Sequence, residues 1–219
     1  MSLIDLNFLK ENFNDKKIIF FDIGCADLWD TKEFAKTLPN AEIYAFEPLK
    51  NHYDICTKRA IEYGVKFFNY ALSNINGDIL FYPAKKQGQE EQLQSSSIFK
   101  KTTRNIVSYG KPYLVKSVTI ETFCNDNNIS PNFIHIDVEG AEYNVFMKLG
   151  EHRPKGIWVE MIGYRYYENG RSDRNGIDKI DYALDNLLKS YGYEVAFQSD
   201  NDSLYLHKEA ELKNRNYKN

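Results

Sequence analysis

Asp22, Glu47, the pair Asp137 and Glu139, and Glu160 each stand at the end of a short apolar run, in "FFDIG", "AFEP", "IDVEG" and "WVEM". In an open α/β sheet the carboxyl ends of the strands border the crevice where ligands bind. A plain structural sheet would place Asn, Ser or Gly there as readily, so acids at four of five strand ends call for a function. Two chemistries suit them. A carboxylate accepts hydrogen bonds from vicinal hydroxyls or balances a cation, and a carboxylate whose proton affinity is raised removes a proton from an alcohol.

Glu47 follows Gly24 by 23 residues and ends the second apolar run. That is the position from which an acid takes the two hydroxyls of a ribose. The competing reading is a solvated strand-end glutamate before Pro48. The turn after the first run, "GCADLW", retains Gly24 but has Ala26 and Leu28 where a dinucleotide fingerprint would have glycines. A pyrophosphate needs those glycines for close backbone approach, and Asp27 would repel it. An adenosine-bearing cofactor without phosphates fits better. S-adenosylmethionine is such a molecule: Glu47 suits its ribose, and Asp22 suits its α-ammonium and sulfonium.

Asp137 and Glu139 are two residues apart at a strand end, which predicts that both face the crevice. Nearby carboxylates raise one another's pKa, which favours a base among Asp137, Glu139 and Glu160. Glu139 has a structural alternative, as an acid capping a helix over 140–149. His135 alternates with Asp137 and is either a hydrogen-bonded core histidine or a base poised near neutrality. Tyr164, Arg165, Tyr166, Tyr167, Arg171 and Arg174 follow the fifth strand directly. Aromatic faces stack on sugars and arginine forks suit anionic groups, so Tyr164, Arg165 and Tyr166 are candidate acceptor contacts. No His/Asp/Glu set has convincing ligand spacing, so no required metal is expected.

The elements that must position these residues form a βαβαβ succession. Leu6, Leu9 and Phe13 predict an N-terminal helix. Runs at 17–24, 41–48 and 65–72 predict three strands, the last ending in Ala71 and Leu72. Asp30 and Glu33 form a candidate capping box for a helix that stops before Pro39. An antiparallel strand follows the Asn76-Gly77 turn, and a polar Gln/Ser-rich insertion occupies about 85–113. Further strands are expected at 133–140 and 156–162, and "YEVAF" and "SLYLH" as a terminal antiparallel pair. The expected fold is α/β, a doubly wound and mostly parallel sheet in one domain over 1–208, with a frayed polar tail over 209–219.

Composition narrows the class. The 219 residues are 42% hydrophobic and 15% aromatic, enough for a core. A net charge of −3 without a basic block leaves no nucleic-acid footprint, and no apolar run approaches a membrane span. Three scattered cysteines and a polar, acidic N-terminus fit a reducing cytoplasmic setting. Oligomeric state is not written in the sequence.

The run "FFDIGCADLWDTKEFAKTLPNAEIYAFEP" resembles the opening of FkbM-type S-adenosylmethionine-dependent methyltransferases. "NYALSNINGDILFY", the serines Ser95 to Ser97, "IDVEGAE" and "PKGIWVEM" follow in the family's order, so the similarity spans roughly 18–160. It implies a class I methyltransferase domain acting on a hydroxyl of a sugar or related small acceptor. It further implies that Asp22, Gly24, Ala26 and Glu47 lie at the cofactor, that Ala71 and Leu72 flank the adenine, and that Asp137 faces the methionine end or the acceptor. Ser96 and Ser97 fall where the family carries a serine pair and are assigned to the acceptor. Leu28 replaces a glycine, which would narrow the loop, and His135 stands where a lysine is usual. The alternatives are a relic that kept the fold and lost the cofactor, and a nicotinamide-dependent oxidoreductase.

Overall fold

In this computed structural model, the residues described are 4–14, 17–86, 96–99, 107–160, 182–199, 202–215 and 217. The apolar runs form β1 (Ile19–Ile23), β2 (Glu42–Phe46), β3 (Lys66–Phe68), β4 (Ala71–Leu72), β5 (Gly77–Phe81), β6 (Ala84–Lys86), β7 (Val107–Tyr109), β8 (Tyr113–Val118), β9 (Phe133–Ile136), β10 (Gly156–Glu160), β11 (Tyr193–Gln198) and β12 (Asp202–His207). Helices α1 (Leu6–Phe13), α2 (Trp29–Thr37), α3 (Tyr53–Tyr63), α4 (Ile120–Asn127), α5 (Glu142–Phe146) and α6 (Tyr182–Ser190) connect them. Seven strands form one sheet in the order β11-β12-β10-β9-β1-β2-β3. β12 alone runs antiparallel to the parallel block, pairing with β10 and β11. This is the doubly wound, mostly parallel sheet with an antiparallel terminal pair that the sequence pattern predicts.

Alternation along the strands divides the core in two. Phe20, Ile43, Ala45, Phe133, Trp158 and Leu204 face α1, α2 and α3, where Phe8, Phe34 and Ala60 meet them. Phe21, Ile23, Phe46, Ile134, Ile136, Ile157 and Val159 face α4, α5 and α6. Both faces of a parallel sheet are thereby covered, as continuous apolar strands require. Among the described residues no helix is long and apolar enough to cross a membrane.

Four expectations are corrected. The third run does not form one strand: β3 stays in the main sheet, while Ala71 and Leu72 pair with β8 in a separate three-stranded sheet. The break falls at Asn69, whose amide donates to the Glu47 carbonyl at 2.7 Å and turns the chain away. The Asp30/Glu33 capping box does not form: α2 begins behind Leu28, a left-handed residue with no side-chain cap. The helix expected over 140–149 is only α5, and its cap position is Ala141 rather than Glu139. The described part of the tail, 209–215 and 217, is docked rather than frayed. Tyr217 packs on Phe8, Trp158 and Phe197 at 4.5–5.6 Å, and its hydroxyl accepts from the Asp5 amide at 2.7 Å.

Candidate functional site

A cavity of about 760 Å³ opens at the carboxyl ends of β1, β2, β9 and β10. Asp22, Asp27, Asp30, Glu47, Asp137, Glu139, Glu160 and Asp202 line it, eight carboxylates in all. His135 is the one basic side chain in its described lining, which contains neither lysine nor arginine. One wall is apolar, built from Phe46, Tyr70, Ala71, Leu72, Phe81 and Ile98.

Backbone geometry at the end of β1 dictates the glycine. Gly24 has φ +84°, and a Cβ there would lie 1.8 Å from the Asp137 carbonyl oxygen. Its role is the close approach of β1 to the segment after β9. Ala26 and Leu28 take left-handed conformations with φ +46° and +65°. Each costs about 1–2 kcal/mol for a residue with a side chain. Leu28 therefore keeps the backbone form expected of a glycine. Its side chain does not narrow the cavity: it is fully buried in the core shared with Phe34 and Phe20 and is absent from the cavity wall.

Glu47 is held rigidly. One carboxylate oxygen accepts from the Leu49 amide at 2.9 Å and the other from the Ala26 amide at 3.1 Å. Each oxygen retains a second acceptor site. Burial pushes its pKa up to about 7, against the pull of the two amides. Asp27, expected to repel phosphate as a bare charge, is instead paired: Arg59 Nη1 lies 2.5 Å from its carboxylate.

Asp22 and His135 are cross-strand register partners of β1 and β9. His135 Nδ1 lies 2.8 Å from Asp22 Oδ1, and the Thr31 hydroxyl donates to the other oxygen. All three side chains are buried. Burial lowers the proton affinity of His135, but its hydrogen bond to Asp22 and the charges of Asp22, Asp137 and Asp30 reverse that and raise it. The sequence allowed either a core histidine or a base. In the structure His135 is a buried partner of Asp22 at the cavity wall.

On the other side, carboxylates face carboxylates. Asp137 and Glu160 are near enough that each shifts the proton affinity of the other. Burial first, then Glu160 and Glu139, raises Asp137 well above its ordinary value. Glu160 is raised too, chiefly by burial, while the neighbouring Asp137 opposes the shift. The Oδ1 atom of Asp137 is buried with no partner among the described residues. Asp202, opposite Glu160 across β10 and β12, accepts from the Trp158 indole at 3.2 Å.

The structure brings Asp22, Gly24, Ala26, Glu47, Ala71, Leu72, Asp137, Glu139 and Glu160 to one cavity. Strand alternation is not what places Glu139 beside Asp137. β9 ends at Ile136 and Glu139 is left-handed at φ +56°, so a turn brings it to the wall. Ser96 and Ser97 also line the cavity, but both hydroxyls have structural partners. Ser96 accepts from the Ala84 amide at 2.9 Å, and Ser97 donates to the Val138 carbonyl at 3.2 Å. Tyr164, Arg165 and Tyr166, with Tyr167, Arg171 and Arg174, lie outside the described residues. Sequence reading passed over Glu142, whose buried carboxylate accepts from the Val138 and Gly140 amides and so shapes the turn bearing Glu139. It also passed over Thr31 and Asp202. Only "IDVEGAE" carried a signal, since Glu142 is its last residue.

Known methyltransferases match both the sequence and the fold. The profile of the methyltransferase FkbM domain matches residues 5–195. The 2-O-methyltransferase NoeI of Sinorhizobium fredii is 26% identical over 159 residues, which are 68% of this chain and 65% of that protein. The chain thus spans just under two thirds of that relative. A Staphylococcus aureus structure, provisionally assigned as a caffeoyl-CoA O-methyltransferase, superposes with a TM-score of 0.53 at 14% identity, covering 94% of this chain and 85% of that one. A Methylobacillus flagellatus methyltransferase FkbM structure gives 0.47 at 12% identity, over 87% of this chain and 44% of that one. The fold is the class I, Rossmann-like methyltransferase fold, and the chain belongs to the FkbM methyltransferase family.

Proposed function

We propose that this member of the FkbM family is an S-adenosylmethionine-dependent O-methyltransferase acting on a hydroxyl of a sugar, glycan or related small molecule. The observation that carries the reading is the charge of the cavity. Eight carboxylates and no lysine or arginine in the described lining suit a cofactor bearing a sulfonium and an ammonium, and they oppose a pyrophosphate. The nicotinamide alternative finds no lysine or arginine in the described lining for its phosphates. The relic alternative loses its motive, because the Leu28 side chain is turned into the core. The 2-O-methyl transfer named for the Sinorhizobium relative supports oxygen as the atom methylated.

In this reading Glu47 takes the ribose hydroxyls with the acceptor sites left beyond its two amides, and Ala71 and Leu72 border the adenine. Gly24 and Ala26 form the loop beneath the cofactor. Asp22, fixed by His135 and Thr31, lies at the methionine end. S-adenosylmethionine, when bound, supplies an activated methyl group on a positive sulfur. The remaining task is to hold an acceptor oxygen in line and remove its proton. Glu160 ends β10 at the cavity wall, next to Asp137. We assign it as the base, with Asp137 tuning its affinity and Glu139 adding negative charge.

The test is transfer of a tritiated methyl group from S-adenosylmethionine to small molecules from a cell extract, followed by mild alkali. The expected outcome is an alkali-stable ether, lost in Glu160→Gln. Alkali-labile label would overturn the hydroxyl acceptor. Undiminished transfer by Glu160→Gln would overturn the assigned base.

A further inference from the structure

The cofactor loop lacks its later glycines yet holds two left-handed residues, so something must keep it in that shape. The clamp comes from α3, outside the cavity. Cys56 Sγ donates to the Ala26 carbonyl at 3.0 Å. Arg59 Nη1 donates to both the Asp27 carbonyl and the Asp27 carboxylate at 2.5 Å. Cys56 and Arg59 are three residues apart, on one face of the helix. They therefore fix two successive carbonyls of the loop from the same side. On the other side, the Ala26 amide donates to Glu47. The two peptide groups that flank Ala26 are thus each held, 25–26 through its N–H by Glu47 and 26–27 through its carbonyl by α3, so neither can flip to relieve the left-handed strain.

We propose that Arg59 and Cys56 are positioning residues that set cofactor affinity by holding the Ala26–Asp27 carbonyls, and through Ala26 the Glu47 carboxylate, in the binding conformation. The inference rests on the reading of Glu47 as the ribose acceptor. Neither Arg59 nor Cys56 lines the cavity, so any effect on binding must pass through the loop. The clamp also explains how the chain dispenses with glycines at 26 and 28. Where glycine would adopt these conformations freely, here side-chain bonds to the backbone stabilise them.

The experiment combines calorimetric titration of S-adenosylhomocysteine with amide hydrogen exchange of residues 26–28 in ligand-free protein. Arg59→Gln, Arg59→Lys and Cys56→Ala are compared with wild type, and thermal unfolding verifies that each is folded. Arg59→Gln is expected to weaken binding about tenfold, as loss of a charged hydrogen bond would. It should speed loop exchange while leaving exchange in β9 and β10 unchanged. Cys56→Ala should act the same way to a smaller extent, and Arg59→Lys should return affinity to within about threefold of wild type. Unchanged loop exchange in Arg59→Gln overturns the clamp whether or not ligand binds. Faster loop exchange with unchanged affinity overturns its link to the cofactor. A wild-type protein that binds no S-adenosylhomocysteine contradicts the methyl-donor reading instead, while loop exchange still decides whether the clamp exists.

Discussion

The two sides of the cavity are built on opposite principles. On the β1–β2 side three acids have partners of different chemistry: Glu47 has two amides, Asp27 has Arg59, and Asp22 has His135 and Thr31. On the β9–β10 side, Asp137 and Glu160 have each other, and one Asp137 oxygen has no partner among the described residues. The first arrangement fixes positions. The second sets two acids of raised proton affinity side by side, a setting in which one can accept a proton during a reaction. A rigid frame beside a titratable pair is a reasonable division between binding and chemistry.

The comparison breaks most severely where the two sides touch. Gly24→Ala puts a methyl group 1.8 Å from the Asp137 carbonyl, at a φ of +84°. It should separate the frame from the pair and destabilise the protein by more than about 4 kcal/mol, read from urea unfolding. Leu28→Ala tests the rigid side alone. Loss of a fully buried leucine should cost about 3 kcal/mol, yet affinity for S-adenosylhomocysteine should be unchanged, because the side chain faces the core. Weaker or tighter binding by the folded variant would mean that Leu28 does shape the cavity.

A smaller effect separates stability from affinity by pH. Burial pushes the Glu47 and Glu142 pKa values up to about 7 from an ordinary 4.5. Between those values the folded state binds more protons than the unfolded chain, so stability is full below about pH 4.5 and falls as pH rises through 7. His135, Asp137, Glu160 and Asp202 are raised as well and act in the same direction, while burial lowers His52 and opposes it. Affinity for a cationic cofactor should rise over the same window as the carboxylates ionise. Glu142→Gln, away from the cavity wall, should recover about 2 kcal/mol at pH 8 and flatten the stability profile without altering that rise. Parallel profiles for stability and affinity would contradict the account.

Much of this was legible in the sequence because parallel strands buried on both faces write themselves as apolar runs, and acids at their ends mark the crevice. Asp22, Glu47, Asp137 and Glu160 came from that pattern alone. The partners did not. Thr31, Arg59 and Asp202 reach the site through folding rather than through spacing, and no period along the chain links Arg59 to Asp27. Asp30 and Glu33 matched a helix-capping pattern, but the left-handed Leu28 in front of the helix took the cap position. The strand at 65–72 read as continuous because a break at Asn69, made by one side-chain amide on a distant carbonyl, leaves no local trace.

The central claim is that this acidic cavity holds a methyl donor through Glu47. Its most direct test is calorimetric titration of S-adenosylhomocysteine into wild type and Glu47→Ala, with NADH titrated in parallel. The account predicts micromolar binding of S-adenosylhomocysteine, its loss in Glu47→Ala, and no heat from NADH. Well-folded wild-type protein that ignores S-adenosylhomocysteine, or that binds NADH in its place, would contradict it.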